Sequence, residues 1–205
     1  VAEDSGLINP LGLWVLRQAV CDAGRWGDIT LSVNISAAQL RNAEFPIKLG
    51  EVLEETGFPP HRLELEVTET CLVLDPVVAE RTLDVIRSFG VRIALDDFGT
   101  GYASIGFLRR FRFEKLKLDR SLIEDICISE SADVIVSTAI QMARSLGYRV
   151  VGEGIEDAET AGHLKAKGCD MLQGFWLCKP KPIDELKQWL KSFEAEGRAA
   201  CALHM

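Results

Sequence analysis

The sequence predicts an α/β protein built on a mostly parallel sheet closed as a barrel, and three observations carry that reading. Helical stretches end in glycine and lead into short apolar strands at Gly57, Gly90, Gly147 and Gly168, the alternation that produces parallel strands. Almost every strand then ends in a polar group: Asn34, Glu66, Asp96 with Asp97, Lys117 with Asp119, Glu153, and Gln173. A barrel gathers such groups at one mouth, whereas a doubly wound sheet concentrates its site at one switch point and usually opens its first helix with G-x-G-x-x-G, which is absent. Six strands can be read, fewer than the eight a closed barrel needs, and the chain begins without methionine. We therefore expect strands before Val1 to be missing.

Asn9-Pro10 reads as a cap followed by proline at the first helical position, and Leu11, Trp14, Val15, Ala19 and Cys21 outline a helix that fades near Gly24. Ile29 to Ile35 is a strand with Asn34 at its exit, and a helix from Phe45 to Glu55 closes at Gly57. Arg62 to Glu69 alternates strictly, with Leu63, Leu65 and Val67 on one face and Glu64, Glu66 and Thr68 on the other. In a barrel one of these faces is the lumen, and Glu66 would point into it. Asp75-Pro76 caps a helix carrying Ala79, Leu83, Ile86 and Phe89 and stopped by Gly90. Phe113 to Asp119 alternates again, with Lys115, Lys117 and Asp119 on one face. Ser129 or Ser131 opens a helix that ends at Gly147, and Tyr148 to Glu153 is a strand ending in a carboxylate. A helix from Ala158 to Lys167 closes at Gly168, Cys169 to Gln173 is a last short strand, and Pro182 opens a final helix through Leu186 and Trp189. Residues 196–205 read as a frayed tail behind one domain spanning 1–195.

Composition narrows the function classes. The 205 residues are 47% hydrophobic, enough for a sizeable core. No apolar run approaches the ~18 residues of a membrane span, and VAEDSG lacks the features of a signal peptide, so a cytoplasmic domain is expected, whose parent protein is free to be membrane-anchored. A net charge of -8 argues against binding DNA or RNA polymers, which rests on clustered Lys and Arg. The basic run Arg109, Arg110, Arg112, Lys115 and Arg120 reads as a solvated face, with Lys117 set apart by its place at a strand end. Six scattered cysteines without a C-x-x-C pair read as buried free thiols, and His61, His163 and His204 stand beside no obvious partner, which disfavours histidine-based metal or nucleophile chemistry.

The chemistry centres on Leu95 to Ser104, LDDFGTGYAS. A buried strand delivers Asp96 and Asp97 to its C-terminal end and runs into the loop Phe98-Gly99-Thr100-Gly101. Adjacent carboxylates repel and need a cation or a proton to coexist away from water, and hard oxygen donors suit a divalent metal. Each feature has a plainer reading. Asn34 would serve as a cap, Glu66 and Glu69 as surface charges, Lys117 and Asp119 as a structural ion pair of small worth, and Gly99 and Gly101 as turn residues. Their recurrence at successive strand ends favours a common site.

ELEVTET, LDDFGTGYAS, LKLDRS, VVGEGIE and LQGF, in that order and spacing, resemble the EAL-domain family of bacterial cyclic di-GMP phosphodiesterases, over nearly the whole chain. The resemblance implies a modified TIM (β/α) barrel, here incomplete. It also implies metal-dependent hydrolysis of cyclic di-GMP to linear pGpG in second-messenger signalling, with two Mg²⁺ or Mn²⁺ ions and inhibition by Ca²⁺. Carried over by position, Asn34, Glu66, Asp96 and Asp97 match the metal ligands, Glu153 a metal-binding or general-base glutamate, and Lys117 the lysine facing the attacking water. Glu69 matches a glutamate that holds the Phe98–Gly101 loop, while Gln173, Asp119 and Glu156 match further polar residues around the pocket. Family members commonly dimerise and sit behind regulatory domains. The Glu-Ala-Leu segment that names the family, with its own metal-binding glutamate, does not occur in this sequence, so a non-hydrolysing cyclic di-GMP receptor or a protein-interaction module is the alternative. Gly152 stands where the family usually has alanine, Asp157 where threonine is usual, and Trp176-Leu177 replaces a more typical aromatic pattern.

Overall fold

The computed structural model describes residues 2–3, 5–27, 29–101 and 105–195, which group into two units. One comprises Val1–Asp96 and Gly101–Glu114, the other Asp97–Thr100 and Lys115–His204. Tyr102, Ala103 and Ser104 of the glycine-rich stretch, and the expected tail at 196–205, lie outside the described residues.

The first unit runs through α1 (Ile8–Ala23), β1 (Leu31–Asn34), α2 (Ala37–Arg41), α3 (Phe45–Thr56), a 3-10 turn at Pro60–Arg62, β2 (Leu63–Thr68), α4 (Glu69–Val73), α5 (Pro76–Ser88), β3 (Arg92–Phe98) and α6 (Ile105–Phe111). The last two residues of β3 count with the second unit. Its strands are parallel and follow sequence order, with Leu31 beside Leu63, Asn34 beside Glu66, and Thr68 beside Asp96. β2 is buried on both faces: Leu63, Leu65 and Val67 are closed off on one side, Glu64 and Glu66 on the other. Val20 of α1, Leu49 of α3, and Leu83 and Ile86 of α5 are also fully enclosed in this unit. Each such aliphatic residue contributes roughly 1.5–3 kcal/mol by leaving water, so this face fixes the register and leaves the polar face free for other work.

The second unit carries β4 (Lys115–Leu118), α7 (Arg120–Ile123), α8 (Glu130–Ser145), β5 (Arg149–Gly152), α9 (Ala158–Ala166), β6 (Met171–Leu172) and α10 (Ile183–Ala195). β4 to β6 are again parallel and in order, Lys117 lying beside Val151 and Gly152 beside Leu172. Leu116, Leu118, Val136, Ile140, Val150 and Leu164 form its core. The strand–helix repeat of both units is that of an α/β protein with parallel strands, as the glycine punctuation predicts. Gly57, Gly90, Gly147 and Gly168 all hold positive φ, where a Cβ would be strained.

Several local expectations are corrected. Asn9 does not cap α1. A turn closed by the Ile8 N–H donating to Ala2 O starts the helix earlier, with Leu7 as the cap residue, and Pro10 sits inside the first turn, where its missing N–H costs nothing. β1 is shorter than Ile29 to Ile35, and α2, α4, α6 and α7 escape a periodicity reading because each spans at most two turns. Lys115 is not on a solvated face: it is 4% exposed, whereas Arg109, Arg110, Arg112 and Arg120 are exposed. Of the described cysteines, all free, only Cys71 is buried, and Cys21 is exposed. His163 does have a partner, Asp133, at 3.4 Å, and Lys167 reaches the same carboxylate at 2.6 Å.

Candidate functional site

In the first unit the polar face of the sheet carries the metal-ligand candidates. Parallel register puts Asn34, at the end of β1, side by side with Glu66, two residues before the end of β2, and Glu66 lies beside Ala94 on β3. Side chains two residues apart share a face, so Asp96 stands next along β3 on the same side, with only the small Ala94 below it. Glu66 and Asp96 are 6% and 7% exposed, and Asn34 is exposed. Oxygen donors grouped on one face of parallel strands are what a hard divalent cation takes. Further down the same face Ser32 Oγ donates to Glu64 Oε1 at 3.0 Å, so Glu64 is engaged one step below the strand ends.

Glu69 follows β2 directly and is 3% exposed. A Cβ on Gly101 would lie 2.3 Å from Glu69 Oε2, so Gly101 is glycine because the carboxylate packs against its backbone, not because of positive φ. Glu69 thus lies against Gly101.

In the second unit the loop begins with Asp97 at φ 54, an uncommon conformation for a residue with a Cβ. Its carbonyl accepts from Thr100 N at 3.3 Å and Thr100 Oγ1 at 2.9 Å. Gly99 has φ 107, and a Cβ there would meet Leu122 Cδ1 at 2.2 Å, so this glycine serves both conformation and close packing. Phe98 O accepts from Asp119 N at 3.2 Å, which ties the loop's start to the end of β4. Asp97 and Glu153 offer carboxylate oxygens within 4.8 Å of one another, close enough to share an ion.

Lys117 and Glu153 form the central pair. Lys117 Nζ lies 2.8 Å from Glu153 Oε1, with the side chains 4% and 14% exposed. The ion pair considered between Lys117 and Asp119 is not among the described ion pairs; Asp119 instead caps α7, accepting from Ser121 N at 2.9 Å and Ser121 Oγ at 2.6 Å. Burial works against ionising Asp119, but these bonds and the Arg120 N–H outweigh it and hold its carboxyl below the ordinary range. Glu153 N donates to Leu118 O at 3.1 Å, which fixes the residue at the exit of β5.

Gln173 is exposed at the end of β6, and its backbone does the connecting work: its N–H donates to Gly152 O at 2.8 Å and its carbonyl accepts from Ile155 N at 3.1 Å. Glu156 does not join the Lys117–Glu153 pair but meets Arg120 at 2.7 Å. Arg120 and the buried Lys115 were not singled out as site residues by sequence reasoning. Only the apolar neighbours Leu116 and Leu118 hinted that the whole of β4 would be enclosed.

The EAL domain family model matches residues 1–180. A "Cyclic di-GMP phosphodiesterase" of Escherichia coli is 35% identical over 196 residues, covering 94% of this chain and 30% of that protein. A solved phosphodiesterase complexed with c-di-GMP superposes with a TM-score of 0.85 at 35% identity, covering 90% of this chain and 77% of that one. A Klebsiella pneumoniae protein solved as a manganese and cyclic di-GMP complex has a TM-score of 0.79 at 31% identity, covering 84% of this chain and 45% of that one. These likenesses bear out the TIM-barrel-like α/β class. The chain spans about a quarter of the length of the first curated relatives it matches.

Proposed function

The chain belongs to the EAL domain family, and on that premise we propose that it is a metal-dependent phosphodiesterase that hydrolyses cyclic di-GMP to linear pGpG. The observation that carries the proposal is the buried Lys117–Glu153 pair, with the Asp97 carboxylate within 4.8 Å of Glu153, at the ends of the strands. A cation 2.8 Å from a carboxylate oxygen keeps it aimed, as a proton acceptor requires.

On the first unit Asn34, Glu66 and Asp96, and on the second unit Asp97, are the residues that would hold the cations. All are hard oxygen donors, and the mixture of carboxylates with one amide leaves net positive charge for the phosphate, which fits Mg²⁺ or Mn²⁺. Two such ions would neutralise the phosphodiester oxygens and lower the pKa of a water. In the reaction water adds to phosphorus as one P–O bond to ribose breaks, and the departing ribose oxygen takes a proton. Glu153 accepts the proton of the attacking water, and Lys117 keeps Glu153 oriented. Glu69 packs against Gly101, Asp119 holds the start of α7, and Gln173 stands at the exit of β6. The domain on this reading is 1–195 and works in the bacterial cytoplasm, where a second copy of the chain and a regulatory domain of the parent protein are its expected partners. Among the described residues no helix is long and apolar enough to cross a membrane.

The test is to incubate the protein with cyclic di-GMP and Mn²⁺ or Mg²⁺, follow pGpG by chromatography, and measure binding in Ca²⁺ in parallel. Turnover lost in Asp96→Asn and Glu153→Gln supports the hydrolase. Tight binding in Ca²⁺ without any product would make the chain a receptor and refute the proposal, as would the absence of both.

A further inference from the structure

We infer that Arg120 is a positioning residue that clamps the segment 153–156 and so sets where the Glu153 carboxylate stands, an inference that rests on the phosphodiesterase reading. Two contacts and its place in the chain converge on it. The Arg120 guanidinium meets Glu156 Oε1 at 2.7 Å. Its stem lies flat on Gly154: a Cβ added there would come within 2.6 Å of Arg120 Cβ and 2.7 Å of Arg120 Cγ, and Gly154 holds φ +67. Arg120 is itself placed as the first residue of α7, whose start is fixed by the Asp119 cap.

The pair is half exposed, 56% and 50%, so its electrostatic contribution to overall stability is small. Its effect is geometric. Gly154 is the residue between Glu153, whose N–H is tied to Leu118, and Ile155, whose N–H is tied to Gln173. A glycine with positive φ is the freest joint in that run, and the arginine stem lies over it while the guanidinium holds the far side through Glu156. Without the clamp the joint can rotate, and Glu153 loses its aim although Lys117 stays in place. Misplacing a catalytic group by a fraction of an ångström to an ångström costs up to about a hundredfold in rate. The Asp119 cap acts through the same residue, which gives that carboxylate a task other than contact with substrate.

The experiment compares wild type, Arg120→Ala, Arg120→Lys and the charge swap Arg120→Glu with Glu156→Arg. It reads kcat and KM for cyclic di-GMP with Mn²⁺, and amide hydrogen exchange of Glu153 and Ile155. Arg120→Ala is expected to lower kcat about ten- to hundredfold with KM changed less than about threefold. Exchange should quicken at these amides and not in β4 or α8. Arg120→Lys and the swap should recover part of both effects. Unchanged exchange at Glu153 and Ile155 overturns the clamp, exchange quickened throughout the chain overturns it in favour of a folding role, and local loosening with unaltered kcat overturns its link to catalysis. A wild type without turnover removes the phosphodiesterase reading and with it the catalytic role of Arg120, and exchange alone then decides whether the clamp exists.

Discussion

Two glycines show how close contact, rather than conformation, fixes residue choice, and their substitution separates two kinds of cost. In Gly101→Ala the new methyl meets the far end of a side chain, Glu69 Oε2 at 2.3 Å, which can swing away. We expect stability to fall by less than about 2 kcal/mol, while cyclic di-GMP turnover drops about tenfold as the loop moves off Glu69. In Gly174→Ala the methyl meets backbone, Ile155 N and O at 2.2 Å, which has nowhere to go. Here about 3 kcal/mol is expected, a fall of roughly 6–12 °C in Tm by calorimetry for a chain of this size. Lys117→Met strands Glu153 without its 2.8 Å partner in a site 14% exposed, so both rate and stability should suffer, by more than a hundredfold in kcat and by about 3 kcal/mol. Asp119 gives a pH signature. Its folded carboxyl sits below the unfolded value of 3.8, so the stability it adds is present above that value and is lost as pH falls through the folded pKa. Asp119→Asn should flatten the acid limb of a stability-against-pH curve below about pH 4 and leave the neutral plateau's slope unchanged.

At the scale of elements, the helix ends that carried side-chain signals were the legible ones. Asp75 caps α5 by accepting from Val78 N at 3.1 Å, as the Asp-Pro pair predicted, and Asp75→Ala should cost about 1 kcal/mol in urea unfolding. Ser129, one of two candidates, caps α8 by accepting from Ala132 N at 3.3 Å. Asn9 misled because a capping residue type with proline after it is persuasive, yet the preceding turn had already started the helix. The strand ends were legible as polar positions but not in their roles, since Asp119, read with the pocket, caps α7 instead. What sequence could not give is which partner each charge takes. Lys117 is two residues from Asp119, close enough to suggest a pair, and only the parallel register of β4 and β5 brings Glu153 within reach instead. Lys115 was misread as solvated because alternation marks two faces without telling whether both are covered. Arg120 carried no signal at all, since its role depends on a glycine and a glutamate more than thirty residues on.

For the whole molecule, the family match over residues 1–180 agrees with the family that ELEVTET, LDDFGTGYAS, LKLDRS, VVGEGIE and LQGF, taken in order, resemble. That Asn34, Glu66 and Asp96 of the first unit, and Asp97 of the second, hold divalent cations is the reading on which the proposed hydrolase rests. Its most direct test is a calorimetric titration of the protein with Mn²⁺ in the absence of nucleotide, run beside Asp96→Asn. The account predicts saturable binding of two ions by the wild type and loss of binding at one or both positions in the variant. Equal Mn²⁺ binding by the two proteins would contradict it.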